Sequence, residues 1–279
     1  MEAFTVISKG IYTTVQDLGR IGYRNYGVPV SGALDKDAMI NANRLVGNDD
    51  NAPCLEILAS GLCLKAMDDF QIALTGGEVE ATLDEIKLEQ NKALNIKKNQ
   101  VIKLQRMISG IRTYLAVSGG FSSQLMMGSR SVNEKILMGK SLMNGDVINR
   151  NQAILPVSSK PLIKRKNNNV FQVILGPDLD KFTKAGIQTF LKSEFTVSEK
   201  LDRMGIRLNG DKIELDDHAD VVSHPVVYGS IQVPDDGNPI ILMADCQTTG
   251  GYAVIGTIRN KDISQLGQLK SGDKIRFRK

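Results

Sequence analysis

The segment 54–74 carries three short apolar runs in close succession: Cys54–Leu58 (Cys-Leu-Glu-Ile-Leu), Leu62–Ala66 (Leu-Cys-Leu-Lys-Ala) and Phe70–Leu74 (Phe-Gln-Ile-Ala-Leu). Three-residue connections, Ala-Ser-Gly and Met-Asp-Asp, separate them. Runs of this length between turn residues are typical of β-strands. Further runs of the same kind follow at 79–83, 93–96, 101–104 and 112–117. Many short strands with few helices predict a mainly β chain, a barrel or a sandwich, rather than alternating βαβ units.

Two strands and one helix are predicted before these runs. Phe4–Ile7 and Ile11–Val15 are rich in branched side chains and flank Gly10. Asp35 is a suitable helix cap, because its carboxylate can accept a hydrogen bond from a backbone N–H of the first turn. After it, apolar residues recur at helical spacing until Gly47 ends the helix; they are Ala38, Met39, Ala42, Leu45 and Val46.

The second half has a similar pattern of strands, one helix and glycine turns. Val170–Leu175 predicts a strand, and Asp178 is the predicted cap of a helix. The apolar face of that helix consists of Phe182, Ala185, Ile187, Phe190 and Leu191. The stretch 158–169 combines Ser-Ser-Lys-Pro, basic residues and three asparagines, and is the predicted linker. We therefore predict two β-rich halves, at 1–157 and 170–279.

One pattern occurs in both halves. An apolar strand runs into Gly-Gly-aromatic at Tyr114–Phe121 and again at 250–252. Further along, Gly-Asp precedes a strand in each case, at Gly145 and at Gly272. The repetition indicates two related β units.

Composition narrows the class of protein. The chain has 279 residues, a net charge of +4 and no dense basic block interleaved with aromatics, so nucleic acid is not an expected partner. No apolar run approaches the roughly 20 residues of a membrane span, and no secretory signal is apparent. The three cysteines show no close pairing, which favours a reducing compartment. We expect a cytoplasmic protein.

Several familiar motifs are incomplete. Gly139-Lys140-Ser141 matches the end of a phosphate-binding P-loop, but the glycine required five residues earlier is Glu134, whose carboxylate would repel phosphate. His218 and His224 do not have a zinc-ligand spacing, and a surface loop is the preferred interpretation. Cys246 has no histidine close in sequence, so we interpret it as a buried small residue. No metal site is predicted.

A polar stretch, Asp245–Tyr252 (Asp-Cys-Gln-Thr-Thr-Gly-Gly-Tyr), follows the apolar run Pro239–Ala244. An acid, an amide and two hydroxyls beside a glycine pair suit a binding site for a polar ligand. The same residues also suit an ordinary turn.

A second polar stretch is Leu201–Leu208. In an extended chain Arg203 and Arg207 would share one face, since side chains alternate along a strand. Two such arginines can bind a carboxylate or phosphate, or they can form structural salt bridges on an exposed strand. The region from Asp17 to Asp35 allows the same two interpretations.

Three groups of motifs together resemble one family. They are Thr13–Arg20 with Gly27–Asp35; Asp202–Leu208; and Gly229–Pro234, Gly237–Pro239 and Asp245–Tyr252. In this order they are similar to the allophanate hydrolase subunit 2 family, also called the biotin-dependent carboxyltransferase family, which includes the C-type subunits of 5-oxoprolinases and KipA-type proteins. The resemblance extends from about Thr13 to the C-terminus. Ile21 stands where the family often has proline, and Cys246 where it often has alanine.

The resemblance implies a cyclophilin-like β-barrel fold and a heteromeric complex. Its implied partners are a subunit 1 homologue (the B-type subunit of 5-oxoprolinase, KipI-like) and a LamB/YcsF-type protein, which is the A-type subunit. The implied reaction is ATP-dependent opening of the lactam of 5-oxoproline to glutamate, with Mg²⁺ accompanying ATP. Two alternatives remain: a KipA-type regulatory subunit, and the carboxyltransferase component of a urea carboxylase. No Met-Lys-Met biotin-carrier segment occurs in the chain, which favours 5-oxoprolinase.

Residue chemistry on these motifs gives the candidate site. Carboxylates that could act on water and a cation for developing charge are the catalytic candidates, namely Asp202, Asp245 and Arg203. Residues that could hold substrate or phosphate are Arg20, Ser31, Asp35, Arg207, Gln232, Gln247, Thr248, Thr249 and Tyr252.

Overall fold

The structure is a computed structural model that describes residues 1–153, 160–164, 168–216 and 221–279. Part of the predicted linker at 158–169 lies outside these residues, and so does His218. The chain forms two compact units. The first unit comprises Met1–Arg20 and Ser31–Arg165, and the second comprises Ile21–Val30 and Lys166–Lys279. The sequence prediction included the short segment Ile21–Val30 in the N-terminal half at 1–157, whereas in the structure it belongs to the second unit.

The strands of the first unit form one large antiparallel sheet. They are β1 (Glu2–Lys9), β2 (Tyr12–Gln16), β3 (Cys54–Leu58), β4 (Leu62–Ala66), β5 (Phe70–Leu83), β6 (Ile86–Lys87), β7 (Ala93–Ile96), β8 (Val101–Val117), β9 (Phe121–Ser122) and β10 (Val147–Arg150). The sheet order is β2-β3-β8-β4-β1-β10-β9, and β5 pairs with β6, β7 and β8. Every strand predicted in this part of the chain is present.

Two pairs of predicted strands are in fact single long strands. The prediction ended a strand at Leu74 and another at Leu104, but β5 and β8 continue through the intervening glycines and pair over most of their length. The register shifts between Gly76 and Glu78 and again before Ala81. A β-bulge bends a strand without ending it, so the glycines mark bulges rather than turns.

Helix α1 (Lys36–Leu45) begins as predicted. The Asp35 carboxylate accepts a hydrogen bond from Ala38 N at 3.0 Å and caps the first turn. The buried face of α1 packs on β3, β5 and β8 through a cluster of apolar side chains. A separate apolar core lies within the sheet, where Phe4, Leu55, Leu64 and Ile72 are fully buried.

The second unit contains a closed barrel. Its strands are β11 (Val170–Leu175), β12 (Glu194–Leu201), β13 (Gly205–Asn209), β14 (His224–Pro225), β15 (Ser230–Val233), β16 (Ile240–Leu242), β17 (Thr249–Gly250), β18 (Ala253–Ile258) and β19 (Lys274–Arg278). The barrel order is β11-β18-β15-β16-β13-β12-β19, closed by parallel pairing of β19 with β11. Strands β14 and β17 pair separately. The predicted mainly β, barrel architecture is confirmed.

Helix α2 (Lys184–Lys192) closes one side of the barrel core. Its Phe190 ring stacks on Phe277 with centroids 4.7 Å apart. The predicted cap, Asp178, is wrong: Thr183 Oγ1 accepts from Gly186 N at 3.0 Å and caps α2. Asp178 instead precedes a separate 3₁₀ turn and accepts a hydrogen bond from Val254 N at 2.8 Å.

The remaining helices of the described residues are short: α3 (Asn260–Ile263) and 3₁₀ turns at Arg24–Tyr26, Glu134–Ile136, Leu179–Lys181 and Ser264–Gln268. No helix in the described ranges has the length and apolar character that a bilayer span requires.

Candidate functional site

The polar loop 243–248 follows β16 and is fastened to the turn between β12 and β13. Met243 N donates to Met204 O at 2.9 Å, and Asp245 N donates to Arg203 O at 2.8 Å. Because β13 and β16 are neighbours in the barrel, the ends of these two strands bring together residues more than forty positions apart in sequence.

Arg203 and Asp245 form a two-pronged ion pair on this scaffold. Arg203 Nε lies 2.7 Å from Asp245 Oδ2, and Nη2 lies 3.1 Å from Oδ1. The side chains are only 12% and 6% exposed, respectively. A forked arginine–carboxylate contact, with two parallel N–H···O bonds, fixes the relative orientation of the two groups. The structure thus brings the two catalytic candidates Arg203 and Asp245 into direct contact.

Asp202 and Arg207 have other surroundings. Asp202 Oδ1 accepts from Met204 N at 2.7 Å and from Gly205 N at 3.0 Å, so this carboxylate stabilises the turn. The expectation that Arg203 and Arg207 share a strand face is wrong, because the strand breaks at that turn and only Arg207 lies within β13. Arg207 is exposed and lies near Asp236, where it contributes to lowering that carboxyl's pKa after the larger effect of the Asn238 N–H.

A chain of amides borders the loop. Gln232, on β15, is 1% exposed. Its Nε2 donates to Tyr252 O at 3.2 Å, and its Oε1 accepts from Gln247 Nε2 at 3.3 Å. A Cβ at Gly250 would lie 2.5 Å from Gln232 Nε2, so a side chain at this position would displace the end of the Gln232 side chain. The structure thus brings together the candidate residues Gln232 and Gln247 and the backbone of Tyr252.

The exposed residues of the loop leave its rim polar. Gln247 and Thr249 are exposed, Thr248 is half-buried, and the Tyr252 side chain is half-exposed. Asp245 lies beneath them at 8% exposure. The loop therefore combines a buried carboxylate, ion-paired with Arg203, with neighbouring polar side chains that are exposed to solvent and can form hydrogen bonds.

Arg24 is a site residue that the sequence analysis missed. It comes from the segment Ile21–Val30 of the second unit. Its Nη2 donates to Val226 O and, at 3.3 Å, to Thr248 O, which fixes the loop from the opposite side. Burial raises the pKa of the neighbouring Cys246 thiol to about 11, with Arg24 opposing the rise. The thiol is protonated at neutral pH, in agreement with its interpretation as a buried small residue.

His224 also lies beside the loop. In β14 it is opposite Gly250 of β17. Its Nε2 is 2.9 Å from Asp178 Oδ2, and its Nδ1 is 3.1 Å from Pro225 O. The surface-loop interpretation of His224 is therefore incomplete, since an Asp–His pair adjoins the polar rim. Only the pairing of β14 with β17, which no local sequence pattern indicates, would have revealed it.

The remaining candidates lie in the first unit. Arg20 is 1% exposed; its Nη2 donates to Ser131 O at 2.7 Å and its Nε to Met126 O at 3.4 Å. The Asp17 carboxylate nearby accepts from Ser129 Oγ at 2.7 Å, Ser131 Oγ at 2.5 Å and Arg130 N at 2.6 Å. These contacts give Asp17 and Arg20 a structural role in holding the segment 126–131.

Ser31 and Asp35 are likewise engaged within the first unit. Ser31 has a left-handed backbone with φ 58°, and its Oγ accepts from Asn133 Nδ2 at 3.1 Å. The buried Asp35 side chain caps α1. Its N–H donates to Tyr114 Oη, which donates to Glu56 Oε2 at 2.7 Å. We therefore remove Asp35 from the substrate-binding set and assign it to helix capping.

At the incomplete P-loop motif, the structure agrees with the expectation that Glu134 disfavours phosphate. Glu134 Oε1 accepts from Ser141 N at 2.7 Å and from Ser141 Oγ at 2.9 Å. These bonds, above all the backbone N–H, lower the pKa of Glu134. A carboxylate of this chain thus takes the donors that a P-loop would offer to phosphate.

Comparison with known proteins identifies a family and its members. The profile of the carboxyltransferase domain, subdomain A and B, matches residues 26–279. The chain is 38% identical to the C-type subunit of 5-oxoprolinase from Escherichia coli, over 98% of this chain and 89% of that protein. It is 32% identical to urea amidolyase of Lachancea kluyveri, over 99% of this chain but 17% of that protein.

Solved structures agree with the fold. The K. lactis urea amidolyase superposes with a TM-score of 0.89 at 30% identity, covering 99% of this chain and 18% of that one. The protein TTHA0988 superposes with a TM-score of 0.90 at 29% identity, covering all of this chain and 56% of that one. In both of these structures the matching region is part of a longer chain.

Proposed function

The chain belongs to the carboxyltransferase domain family (subdomain A and B), and from that premise we propose that it is the C-type subunit of an ATP-dependent 5-oxoprolinase. Such an enzyme opens the lactam of 5-oxoproline to L-glutamate. The observation that carries the proposal is the match to the C-type subunit of the E. coli 5-oxoprolinase over nearly the full length of both chains. A second C-type subunit of 5-oxoprolinase, from Haemophilus influenzae, matches over 95% of this chain and 87% of its own.

The chemistry requires a way to activate an unreactive amide. ATP phosphorylates the lactam oxygen and leaves as ADP, which makes the ring carbon open to water. Water then attacks this carbon, the C–N bond breaks with a proton passing to nitrogen, and a second water releases phosphate from the acyl group. The protein must position the ring, accept a proton from water and supply one to nitrogen.

We propose that Asp245 accepts the proton that the attacking water releases. Its carboxylate is held by the forked contact with Arg203 and lies just beneath the polar rim. An ionised carboxylate in a fixed orientation can accept a proton from attacking water, and the adjacent guanidinium stabilises negative charge that develops on the substrate. Arg203 thus positions Asp245 and acts on the substrate as a cation.

The polar rim binds the ring in this proposal. Gln247, Thr248 and Thr249 offer donors and acceptors for the lactam and its carboxylate, and Tyr252 offers an apolar face with a hydroxyl. Arg24 positions the loop through the carbonyl of Thr248. We propose that the His224–Asp178 pair, on the strand that pairs with β17, delivers a proton to the leaving nitrogen.

The proposed complex includes a subunit 1 homologue, which is the B-type subunit of 5-oxoprolinase, and a LamB/YcsF-type protein as the A-type subunit. ATP with Mg²⁺ is the co-substrate, and the chain alone is inactive. We place the complex in the cytoplasm, because Cys54, Cys63 and Cys246 are all unpaired thiols.

A second candidate is a carboxyltransferase component that moves a carboxyl group from biotin to urea. The observation that favours it is the similarity to urea amidolyases and to a putative urea carboxylase of Emericella nidulans. In that case a partner would carry the biotin, since this chain has no carrier segment. A KipA-type regulatory role is the third alternative.

The test is reconstitution with the two partner subunits of the same organism. The 5-oxoprolinase proposal expects stoichiometric release of glutamate and ADP from 5-oxoproline, with none when this chain is omitted. Carboxylation of urea by the set together with a biotinylated carrier would support the second candidate instead. Absence of both activities, with a complex that assembles, would contradict the two enzymatic proposals.

A further inference from the structure

The connection between β9 and β10 in the first unit contains two tight turns. An isolated bridge between Met126 and Ser129 closes one, and a bridge between Asn133 and Met138 closes the other. Met127 and Gly128, at the tip of the first turn, both have positive φ, at 52° and 74°. Leu137, in the second turn, has φ 58°.

Large apolar side chains are unusual in this backbone conformation. The left-handed region crowds the Cβ of any residue other than glycine, and turns of this kind favour asparagine or glycine. Leu137 is nevertheless 87% exposed and Met127 is 40% exposed. Neither the backbone nor burial in this unit accounts for a leucine or methionine at these tips, so their presence points to a contact made elsewhere.

The two turns border one concave site. A cavity of about 390 Å³ is lined by Met126 from the first turn and Met138 from the second, together with Val132 and Val147. Val147 is itself half-exposed, and further exposed apolar side chains lie close in sequence to lining residues; they are Leu125, Ile136 and Met143. We call the turns at 126–129 and 133–138, with this cavity, the turn-tip surface.

The turn-tip surface has a positive rim. Arg130 and Lys140 line the cavity, and Lys135 is exposed on the second turn. Two carboxylates of this region accept backbone hydrogen bonds: Glu134 from Ser141 N, and Asp146, which lines the cavity, from Met143 N at 2.8 Å. The three cations outnumber these two carboxylates. An occupant that suits this surface therefore offers an apolar side chain flanked by carboxylates.

We propose that the turn-tip surface docks a partner subunit of the complex, whose contact carries an apolar side chain for the cavity and carboxylates for Arg130 and Lys140. The inference rests on the proposed function only in naming the partner, the subunit 1 homologue. A protein partner agrees with TTHA0988, in which a domain of this kind is covalently joined to further chain.

Charge disfavours a second copy of this chain as the occupant. A two-fold symmetric contact would place Arg130, Lys135 and Lys140 against their own equivalents, and the two positive rims would repel. A lipid surface does not need a concave cavity of this size, whereas a protruding side chain does. Self-association of this chain and binding to a lipid surface are therefore alternative outcomes of the test.

The test uses substitutions that have opposite effects on folding and on docking. Leu137→Asn and Met127→Asn place asparagine where the backbone favours it, so each is expected to raise the melting temperature of this chain, by about 2 °C. Each removes an apolar contact, so binding of the purified subunit 1 homologue should weaken at least ~10-fold in calorimetric titration. Ile86→Asn is the matched control. Ile86 is a strand residue that is 75% exposed and lies outside the turn-tip surface, so this substitution should leave binding unchanged.

Unchanged binding in both turn variants would overturn the proposal. So would a wild-type chain that is a dimer by light scattering and becomes monomeric in Leu137→Asn, or one that binds vesicles of anionic phospholipid through Leu137. Docking is measured without substrate, so it is independent of the reaction. A complex that assembles through this surface but does not turn over 5-oxoproline contradicts the proposed function and leaves the docking inference standing.

Discussion

At the scale of single residues, two buried polar networks have different purposes. In the second unit Arg203 forms an ion pair with the buried carboxylate of Asp245, next to a loop with solvent-exposed polar side chains. In the first unit the Tyr114 hydroxyl lies wholly inside, between Asp35 N and Glu56 Oε2. Burial raises the pKa of Tyr114 well above its usual value, so the hydroxyl stays protonated and donates to the carboxylate. We assign the first network to chemistry and the second to folding.

Tyr114→Phe tests the second assignment. The substitution keeps the ring but leaves the Asp35 N–H without its acceptor and removes one donor from Glu56. An unpaired buried polar group costs about 1–3 kcal/mol, and we expect a loss of that size in urea unfolding of the isolated chain. Turnover of the assembled enzyme should change little once it is measured well below the melting temperature. A loss of turnover without a loss of stability would place Tyr114 in the chemistry instead.

At the scale of elements, capping separates what local sequence predicts from what it does not. Asp35 before α1 is a local signal, and the prediction was confirmed. Asp178 has the same residue type ahead of α2, yet Thr183 is the cap. A 3₁₀ turn at Leu179–Lys181 intervenes, and Asp178 is drawn to His224 and Val254 by contacts between distant strands. The sequence shows which residue types can cap a helix, but not which of two candidates accepts the hydrogen bond from the first turn.

Asp35→Asn distinguishes capping from substrate binding. Asparagine caps a helix about as well as aspartate, so this variant should retain both stability and turnover. Asp35→Ala should lower the free energy of unfolding by about 0.5–2 kcal/mol. Chemical denaturation and steady-state kinetics of the two variants decide the question. A large loss of activity in Asp35→Asn, with stability kept, would return this residue to the substrate-binding set.

At the scale of the whole molecule, the sequence predicts the class of fold better than its connections. Strand positions followed from short apolar runs. Their number predicted a barrel or a sandwich, and the family resemblance favoured the barrel. The sequence did not predict that Ile21–Val30 belongs to the second unit, because nothing in the composition of this segment differs from the flanking loop. Arg24 was missed for that reason. His224 was missed because β14 and β17 are far apart in sequence and each is only two residues long.

The same limit explains which parts of the candidate site could be predicted from the sequence. Asp245 and Gln247 could be predicted from polar residues after an apolar strand, whereas Gln232 was predicted from the family motif. Arg203 was predicted from a charged stretch. Within the second unit the structure pairs Arg203 with Asp245 and Gln232 with Gln247. The alternation rule failed for Arg203 and Arg207, since it assumes an uninterrupted strand. The hydrogen bonds of Asp202 to Met204 N and Gly205 N show where the strand ends, and that turn aims Arg203 at Asp245.

Two matched substitutions test whether Asp245 carries the chemistry. Asp245→Asn removes the charge that Arg203 orients, whereas Asp202→Asn makes the same change in the adjoining turn, where asparagine can accept the same backbone hydrogen bonds. The measurement is release of glutamate from 5-oxoproline by the reconstituted complex at saturating ATP. We predict that Asp245→Asn lowers kcat at least ~100-fold, in the range typical of general-base removal, and that Asp202→Asn stays within a few-fold of wild type. Near-normal turnover in Asp245→Asn would contradict the account.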